Sequence, residues 1–160
     1  MKPHTSFNRL LGVFLFFIAG LIIARIIYSG SIRYIFLGWN IFLAWIPYVL
    51  SCYFVVYLKK EKWKLAFLFL SWLLFFPNAL YIVTDLIHLE ESTNVPLWYD
   101  AVLLFASSFI GLIMAFVSLQ KAEYLLNGLF SKKTVNCMIP VILFMGSFGV
   151  YLGQIGRAHV

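Results

Sequence analysis

Four polar side chains interrupt an apolar stretch in the middle of the chain. Asn78, Tyr81, Asp85 and His88 follow one another at intervals of three, four and three residues. These intervals place side chains on one face of an α-helix, so we expect a polar stripe that faces protein and not lipid. A carboxylate and an imidazole on that face could bind a polar ligand or act as an acid–base pair.

The composition of the whole chain determines what kind of element carries this stripe. The 160 residues are 63% hydrophobic and 11% charged, which is typical of a membrane protein. A helix needs about 20 apolar residues to cross a bilayer. Runs of about this length occur at 10–28, 35–58, 65–84, 100–119 and 136–153. We therefore predict an all-α membrane protein, with one domain over residues 1–154 that forms a compact bundle of about five transmembrane helices.

The basic residues predict the orientation of the bundle. Two Lys or Arg residues precede the first span, four lie in the second connection and three in the fourth, whereas Arg25 and Arg33 lie around the first connection. By the positive-inside rule, the amino terminus is cytoplasmic and the first and third connections face outward. The net charge of +6 could suggest nucleic acid. The basic residues lie in short loops, however, so we expect the lipid bilayer as a partner and no nucleic acid.

Polar groups on several spans should meet near the outer surface. At about 1.5 Å per residue, Asn40 and Asn78 lie roughly 8 and 10 Å below that surface. A charge in hydrocarbon costs several kcal/mol unless it is paired or hydrated. Arg25, at the outer end of span one, is the best-placed partner for Asp85, and Arg33 comes next. The predicted ligand-binding residues are Asn40, Asn78, Tyr81, Asp85, His88, Asp100 and Arg25.

Structural roles for the same residues remain open. Asn40 and Ser107 could simply join helices by hydrogen bonds. A fixed Asp85–Arg25 ion pair is about as plausible as a ligand site. A metal site is conceivable, but no compact ligand spacing supports it, so no metal is predicted and the cofactors stay unknown. Its ligands would be Asp85, His88, Glu90, Glu91 and Asp100.

Prolines and small residues indicate how the helices bend and pack. Pro47 and Pro77 should kink spans two and three, and Asn40 and Asn78 could donate to the carbonyls that the prolines leave free. Small residues allow close contact between helices, either within the bundle or between copies of the chain. In spans four and five they include Ser107, Gly111, Gly149 and Gly153.

Two further expectations concern the cysteines and the inner loop. We expect Cys52 and Cys137 to be small buried hydrophobic residues and not a disulfide or a metal pair. The segment 120–133 predicts an interfacial helix, with an ordinary solvated loop as the alternative.

Three sequence blocks resemble a known family. They read WNIFLAWIPY at 39–48, FFPNALYIVTDLIHL at 75–89 and PLWYD at 96–100. They resemble the domain of unknown function 1361 family of bacterial membrane proteins, over about residues 32–153. The resemblance implies a multi-pass protein of the bacterial cytoplasmic (inner) membrane. It supplies no activity, cofactor or catalytic residue.

The carboxyl end departs from the pattern of that family. The last six residues, IGRAHV at 155–160, read as the translation of a common sequencing-library adapter. We expect this tail to be non-native and exclude Arg157 and His159 from the predicted site. A genuine basic tail is the alternative.

Three functions fit these residues. The first is a binding or accessory protein that engages a polar ligand, a lipid headgroup or a membrane partner protein at an outward-facing polar pocket. The second is an enzyme that acts on a lipid-linked or envelope substrate, with Asp85 or Asp100 as general base and His88 as its partner. The third is a small transporter with Asp85 as a proton or cation site.

Overall fold

The computed structural model describes residues 4–57, 61–89 and 95–158, and this part of the chain is helical, without strands. Five stretches are long and apolar enough to cross a membrane, which confirms the predicted five-span bundle. The helices are α1 (His4–Ser29), α2 (Ile35–Cys52), the short α3 (Phe54–Tyr57), α4 (Lys62–Tyr81), a 3-10 segment (Ile82–His88), α5 (Leu97–Asn127) and α6 (Lys132–Ala158).

Three helices form the core, and two lie at its edge. α2, α4 and α5 pack on one another, with Trp72, Phe76, Leu104 and Met114 fully buried among them. α1 packs mainly on α5, and α6 packs mainly on α4. The fold therefore positions outer-end side chains of α1 against α5.

A glycine ends α1 and turns the chain back toward the bundle. Gly30 has a positive φ of 66°, and its N–H donates to the Ile26 carbonyl at 2.8 Å. This is the left-handed cap that commonly ends helices, and glycine adopts it without a Cβ penalty. The turn brings Tyr34 back against Arg25, whose guanidinium carbon lies 4.3 Å from the centre of the Tyr34 ring.

The prolines lie inside helices that continue past them. Pro47 is within α2 and Pro77 within α4, and the kinks there stay a prediction. The Asn78 amide donates to the carbonyl of Phe75 in its own helix, at 3.2 Å, and not to the carbonyl that Pro77 frees. α4 changes to 3-10 geometry at Ile82, shortly after this proline.

Segment 120–133 differs from both expectations. α5 continues to Asn127 and α6 begins at Lys132, so most of the segment belongs to two long helices and forms neither an interfacial helix nor an open loop. The reason is burial, because Ala122, Leu125 and Leu126 are buried. They extend the apolar face of α5 beyond the predicted end of its span.

The expectation for the cysteines was half wrong. Cys52 and Cys137 are both free, but both are exposed at the surface of the bundle. A small apolar side chain has no need to be inside the protein when lipid surrounds it. Cys52 is the last residue of α2, and the Lys121 ammonium group contacts its sulfur at 2.9 Å.

The predicted close contacts between helices are present. A Cβ added to Gly149 would lie 2.8 Å from Cβ of Pro77, and one added to Gly153 would lie 3.0 Å from Cε2 of Tyr81. α6 therefore approaches α4 through its glycines. Gly111 of α5 meets the Ile82 side chain in the same way. These contacts lie within one chain, and dimerisation stays a prediction.

Candidate functional site

A buried ion pair joins α1 to α5 at the end of the bundle that the positive-inside rule places outside, here called the outer end. The Arg25 Nε donates to Asp100 Oδ1 at 2.7 Å, and its Nη2 donates to Oδ2 at 3.0 Å. Arg25 is 3% exposed and Asp100 is 0% exposed. Asp100 also lies in the first turn of α5, where the helix dipole favours a negative charge. Two parallel hydrogen bonds make this a strong, oriented contact.

This ion pair corrects the sequence-based pairing of Arg25 with Asp85. α1 packs on α5, which carries Asp100, whereas the Asp85 carboxylate, on the 3-10 segment, accepts a hydrogen bond from Asn40 of α2. Arg25 was predicted to face Asp85 because the two residues lie at a similar depth in the membrane. Depth does not specify which helices are neighbours. Asp100 was predicted as a site residue, and the structure gives it the role of ion-pair partner.

Tyr34 connects the ion pair to the second part of the site. Its ring lies against the Arg25 guanidinium, a cation–π contact, and its hydroxyl donates to the His88 carbonyl at 3.0 Å. Tyr34 is 1% exposed, and burial raises its pKa above the ordinary value. The hydroxyl therefore stays protonated and can donate at neutral pH.

The second part of the site is a contact between an amide and a carboxylate. Asn40 of α2 donates its Nδ2 hydrogen to Asp85 Oδ2 at 2.6 Å, and Asp85 is 0% exposed. His88, one 3-10 turn further on, packs edge-on against Phe36, with ring centres 5.2 Å apart. Side chains from α2 and the 3-10 segment thus meet beside Tyr34.

The 3-10 geometry separates the predicted polar stripe into two groups. Residues three apart align along a 3-10 helix, so Ile82, Asp85 and His88 share one face. Tyr81 precedes the change in geometry and packs toward Gly153 of α6. Asn78 hydrogen-bonds within α4. The structure therefore brings together five of the seven predicted residues, and it places Asn78 and Tyr81 elsewhere.

A cleft lies next to the ion pair. It has a volume of about 320 Å³ and is lined by Ala24, Arg25, Tyr28, Val95, Pro96 and Tyr99. Tyr99 also donates its hydroxyl to the Leu21 carbonyl at 2.9 Å, which fixes one wall of the cleft to α1. A buried cation thus forms part of the wall of an otherwise largely apolar cleft.

Sequence reasoning missed Tyr34 and the role of Ser108. Tyr34 lies in a short connector with no periodic pattern, so nothing in the sequence marks it as buried. Ser108 of α5 donates to the Ile82 carbonyl at 3.0 Å and thereby ties the 3-10 segment to α5. Its partner depends on which helices are neighbours, and the sequence does not specify that. Ser107 bonds only to Leu103 of its own helix among the described residues.

The arrangement does not favour proton transfer at Asp100. Both Asp100 oxygens are engaged by Arg25, so neither is poised to accept a proton from a substrate. Within the described residues, no three His, Cys, Asp or Glu side chains come together. Glu90 and Glu91, which the conceivable metal site required, lie outside the described part.

A family comparison completes the description. The model of the family described as a protein of unknown function (DUF1361) matches residues 39–160. The chain belongs to this DUF1361 family. The match includes Asn40, Asp85, His88 and Asp100, and it begins after Arg25. Searches of curated proteins and of solved structures gave no match.

Membership confirms the resemblance carried by the three sequence blocks. Two of the DUF1361 blocks contain the two partners of the hydrogen bond from Asn40 to Asp85, since Asn40 lies in the first block and Asp85 in the second. The third block ends at Asp100, the partner of Arg25. In this DUF1361 chain, the blocks thus supply both partners of the Asn40–Asp85 contact and one partner of the Arg25–Asp100 pair.

Proposed function

We propose that this chain is a membrane binding or accessory protein that engages a polar ligand at its outer polar site. This site consists of Arg25, Tyr34, Asn40, Asp85, His88 and Asp100. A location in the bacterial cytoplasmic membrane with the amino terminus inside belongs to the same proposal. It rests on the positive-inside distribution of the basic residues.

One observation carries the proposal. Three ionisable side chains, Arg25, Asp85 and Asp100, are almost fully buried at one end of the bundle, whereas the other buried residues that the structure describes are uncharged. Burying charge is costly, because each ion loses its hydration and needs a well-placed partner in return. Ionisable residues within membrane spans are therefore functional candidates by default. The adjacent cleft gives a ligand room beside the ion pair.

The experiment measures stabilisation of the full chain in detergent by a panel of soluble probes. The panel has a neutral sugar, N-acetylglucosamine; a zwitterion, phosphocholine; and an anion, glycerol 3-phosphate. A probe at 100 times its Kd should stabilise the protein by about 2.7 kcal/mol, which raises the melting temperature. We expect such a shift for at least one probe.

The matched variants are Asp85→Asn and Ser118→Ala. Asn at position 85 keeps an oxygen that can accept from Asn40 but removes the charge. Ser118 is buried in α5 and bonds to the Ala115 carbonyl, away from the outer site. The shift should survive in Ser118→Ala and be lost in Asp85→Asn. Equal shifts in both variants, or no shift for any probe with the wild-type chain, would contradict the proposal.

A further inference from the structure

We propose that the cleft beside Arg25 binds the phosphate of a phospholipid headgroup. The inference rests on the proposed function, because it names the ligand class of the same site. It draws on three observations: the unused edge of the guanidinium group, the level of the cleft in the membrane, and the size and lining of the cleft.

The Arg25 guanidinium has donors left over after it has bound Asp100. The ion pair uses Nε and one Nη2 hydrogen, which is the side edge of the group. On the end edge, formed by Nη1 and Nη2, the one hydrogen bond within the described residues is a long one, 3.4 Å from Nη1 to Ser29 Oγ. An arginine fork matches two oxygens of a phosphate in the same way as two oxygens of a carboxylate.

The cleft lies at the level where lipid headgroups lie. Its residues come from the last turns of the first span, which ends at Ser29, and from the start of the fourth, which begins at Leu97. Trp98 is 66% exposed at the same level, and Tyr28 is 74% exposed. Exposed Trp and Tyr mark the boundary between hydrocarbon and headgroups.

The size and lining of the cleft favour a lipid over a free anion. A volume of about 320 Å³ is many times the roughly 10–15 Å³ that one water molecule needs on the same measure, and it exceeds the needs of a bare phosphate. Ala24, Val95 and Pro96 provide an apolar wall that suits the glycerol backbone and first methylenes of a lipid. The oxyanion would meet Arg25, and the apolar part would meet this wall.

Native mass spectrometry of the full chain tests the inference with three probes. Phosphatidylglycerol carries phosphate and acyl chains, diacylglycerol with the same chains lacks the phosphate, and glycerol 3-phosphate lacks the chains. We expect phosphatidylglycerol to bind at least tenfold more tightly than either of the other two. Diacylglycerol that binds equally tightly would exclude phosphate recognition, and glycerol 3-phosphate that binds equally tightly would exclude a lipid.

Two matched variants locate the binding. Ala24→Phe fills the cleft and leaves the ion pair intact, whereas Ile27→Phe adds a similar ring to an exposed position of the same turn that does not line the cleft. Phosphatidylglycerol binding should weaken at least tenfold in Ala24→Phe and stay unchanged in Ile27→Phe. Equal binding by the two variants would overturn the inference.

A third variant tests the guanidinium fork. Arg25→Lys keeps the charge but loses the planar fork, so phosphatidylglycerol binding should fall about tenfold. Wild-type affinity in a folded Arg25→Lys chain would overturn the role of the fork. If this variant does not fold, Ala24→Phe alone decides the site.

The failure of this inference is distinguishable from failure of the proposed function. Suppose that phosphatidylglycerol shows no preference over diacylglycerol, while N-acetylglucosamine still stabilises the wild type but not Asp85→Asn. The outer polar site then binds a ligand of another class, and only the phosphate inference falls. If no probe distinguishes Asp85→Asn from the wild type, both proposals fall.

Discussion

The two peripheral helices of the bundle are attached to its core by different kinds of contact. α1 is joined to α5 through polar bonds, the Arg25–Asp100 ion pair and the Tyr99 hydroxyl on the Leu21 carbonyl. α6 is joined to α4 through shape, because Gly149 and two neighbouring glycines on the same helix let it approach closely. The two attachments therefore depend on different physics.

The space around α1 shows why its polar bonds matter. An apolar cleft of about 270 Å³ separates α1 from α2. It is lined by Leu15, Ile18, Ala19, Ile22, Gly38, Ile41, Phe42 and Trp45. Lipid tails solvate such surfaces as well as protein does, so apolar area alone gives helices little reason to associate in a bilayer. Directional bonds on α1 and close van der Waals contact on α6 supply that reason.

The largest effect should come from breaking the ion pair of α1. Arg25→Gln leaves Asp100 buried without its cation, and removing one partner of a buried pair costs about 3–5 kcal/mol. Because most of its specific contacts to α5 would be lost, α1 should also become more sensitive to protease. Thermal and denaturant unfolding in detergent would measure the loss of stability.

The double variant Arg25→Met with Asp100→Leu is the matched control. It removes both charges, so no uncompensated charge remains, and it should recover most of the stability that Arg25→Gln loses. If the single variant were as stable as the double one, α1 would not depend on the ion pair, and the contrast with α6 would disappear.

The Asn40–Asp85 contact tests whether other polar bonds at the outer end stabilise the fold as much as the Arg25–Asp100 ion pair. Asn40→Leu removes the amide that donates to Asp85, and a hydrogen bond to a charged group contributes about 1.5–3 kcal/mol. The loss should be smaller than for Arg25→Gln, since α2 is also packed along its length in the core. The same unfolding measurements would show it.

Ser107→Ala provides the comparison for Asn40→Leu. Ser107 is buried at a similar depth but bonds to Leu103 of its own helix. Its loss should change stability by less than about 1 kcal/mol, because the Leu103 carbonyl belongs to the same helix and no contact between helices is removed. A larger loss in Ser107→Ala than in Asn40→Leu would show that helix-to-helix polar bonds are not the important ones.

The attachment of α6 should respond to volume and not to charge. Gly149→Ala places a Cβ 2.8 Å from the rigid ring of Pro77, and overpacking of this kind costs about 1–3 kcal/mol. Gly20→Ala is the matched control, because a Cβ there meets nothing within 4 Å. Alanine at position 20 should be neutral or slightly stabilising. Equal effects at both positions would show that α6 does not depend on the close contact.

The fold was largely predictable from the sequence, because it depends on one-dimensional patterns. Five apolar runs of sufficient length specify five helices, and the structure confirms them. The exception at 120–133 has the same origin. Average hydropathy along the sequence predicts that the fourth span ends where lysines begin. In the structure, α5 continues beyond Lys121 because Leu125 and Leu126 are still buried.

The positions of several polar residues at one end of the bundle were predictable, but their pairings were not. Residue type and depth correctly placed Arg25, Asn40, Asp85 and Asp100 at one end of the bundle. Which carboxylate faces Arg25 depends on how the helices are arranged around one another, and the change to 3-10 geometry rotates Asp85 relative to an ideal helix. No pattern within a single helix contains that information.

The smallest effect concerns the residue that links the two halves of the outer site. Tyr34→Phe keeps the ring beneath Arg25 but removes the hydroxyl that donates to the His88 carbonyl, and a neutral hydrogen bond contributes about 0.5–1.5 kcal/mol. Since burial raises the pKa of Tyr34 above its ordinary value of 10.0, the folded chain holds the phenolic proton more tightly than the unfolded chain.

The stabilisation that the protonated Tyr34 hydroxyl provides is complete below about pH 10 and is lost as pH rises through the raised pKa of Tyr34. The stability gap between wild type and Tyr34→Phe should therefore be constant from neutral pH to about pH 9 and narrow above pH 10. Unfolding curves recorded across this range would test it. A gap that stays constant beyond pH 10 would mean that folding does not raise the pKa of Tyr34, and the polar attachment of α1 would then be open to solvent in a way that the attachment of α6 is not.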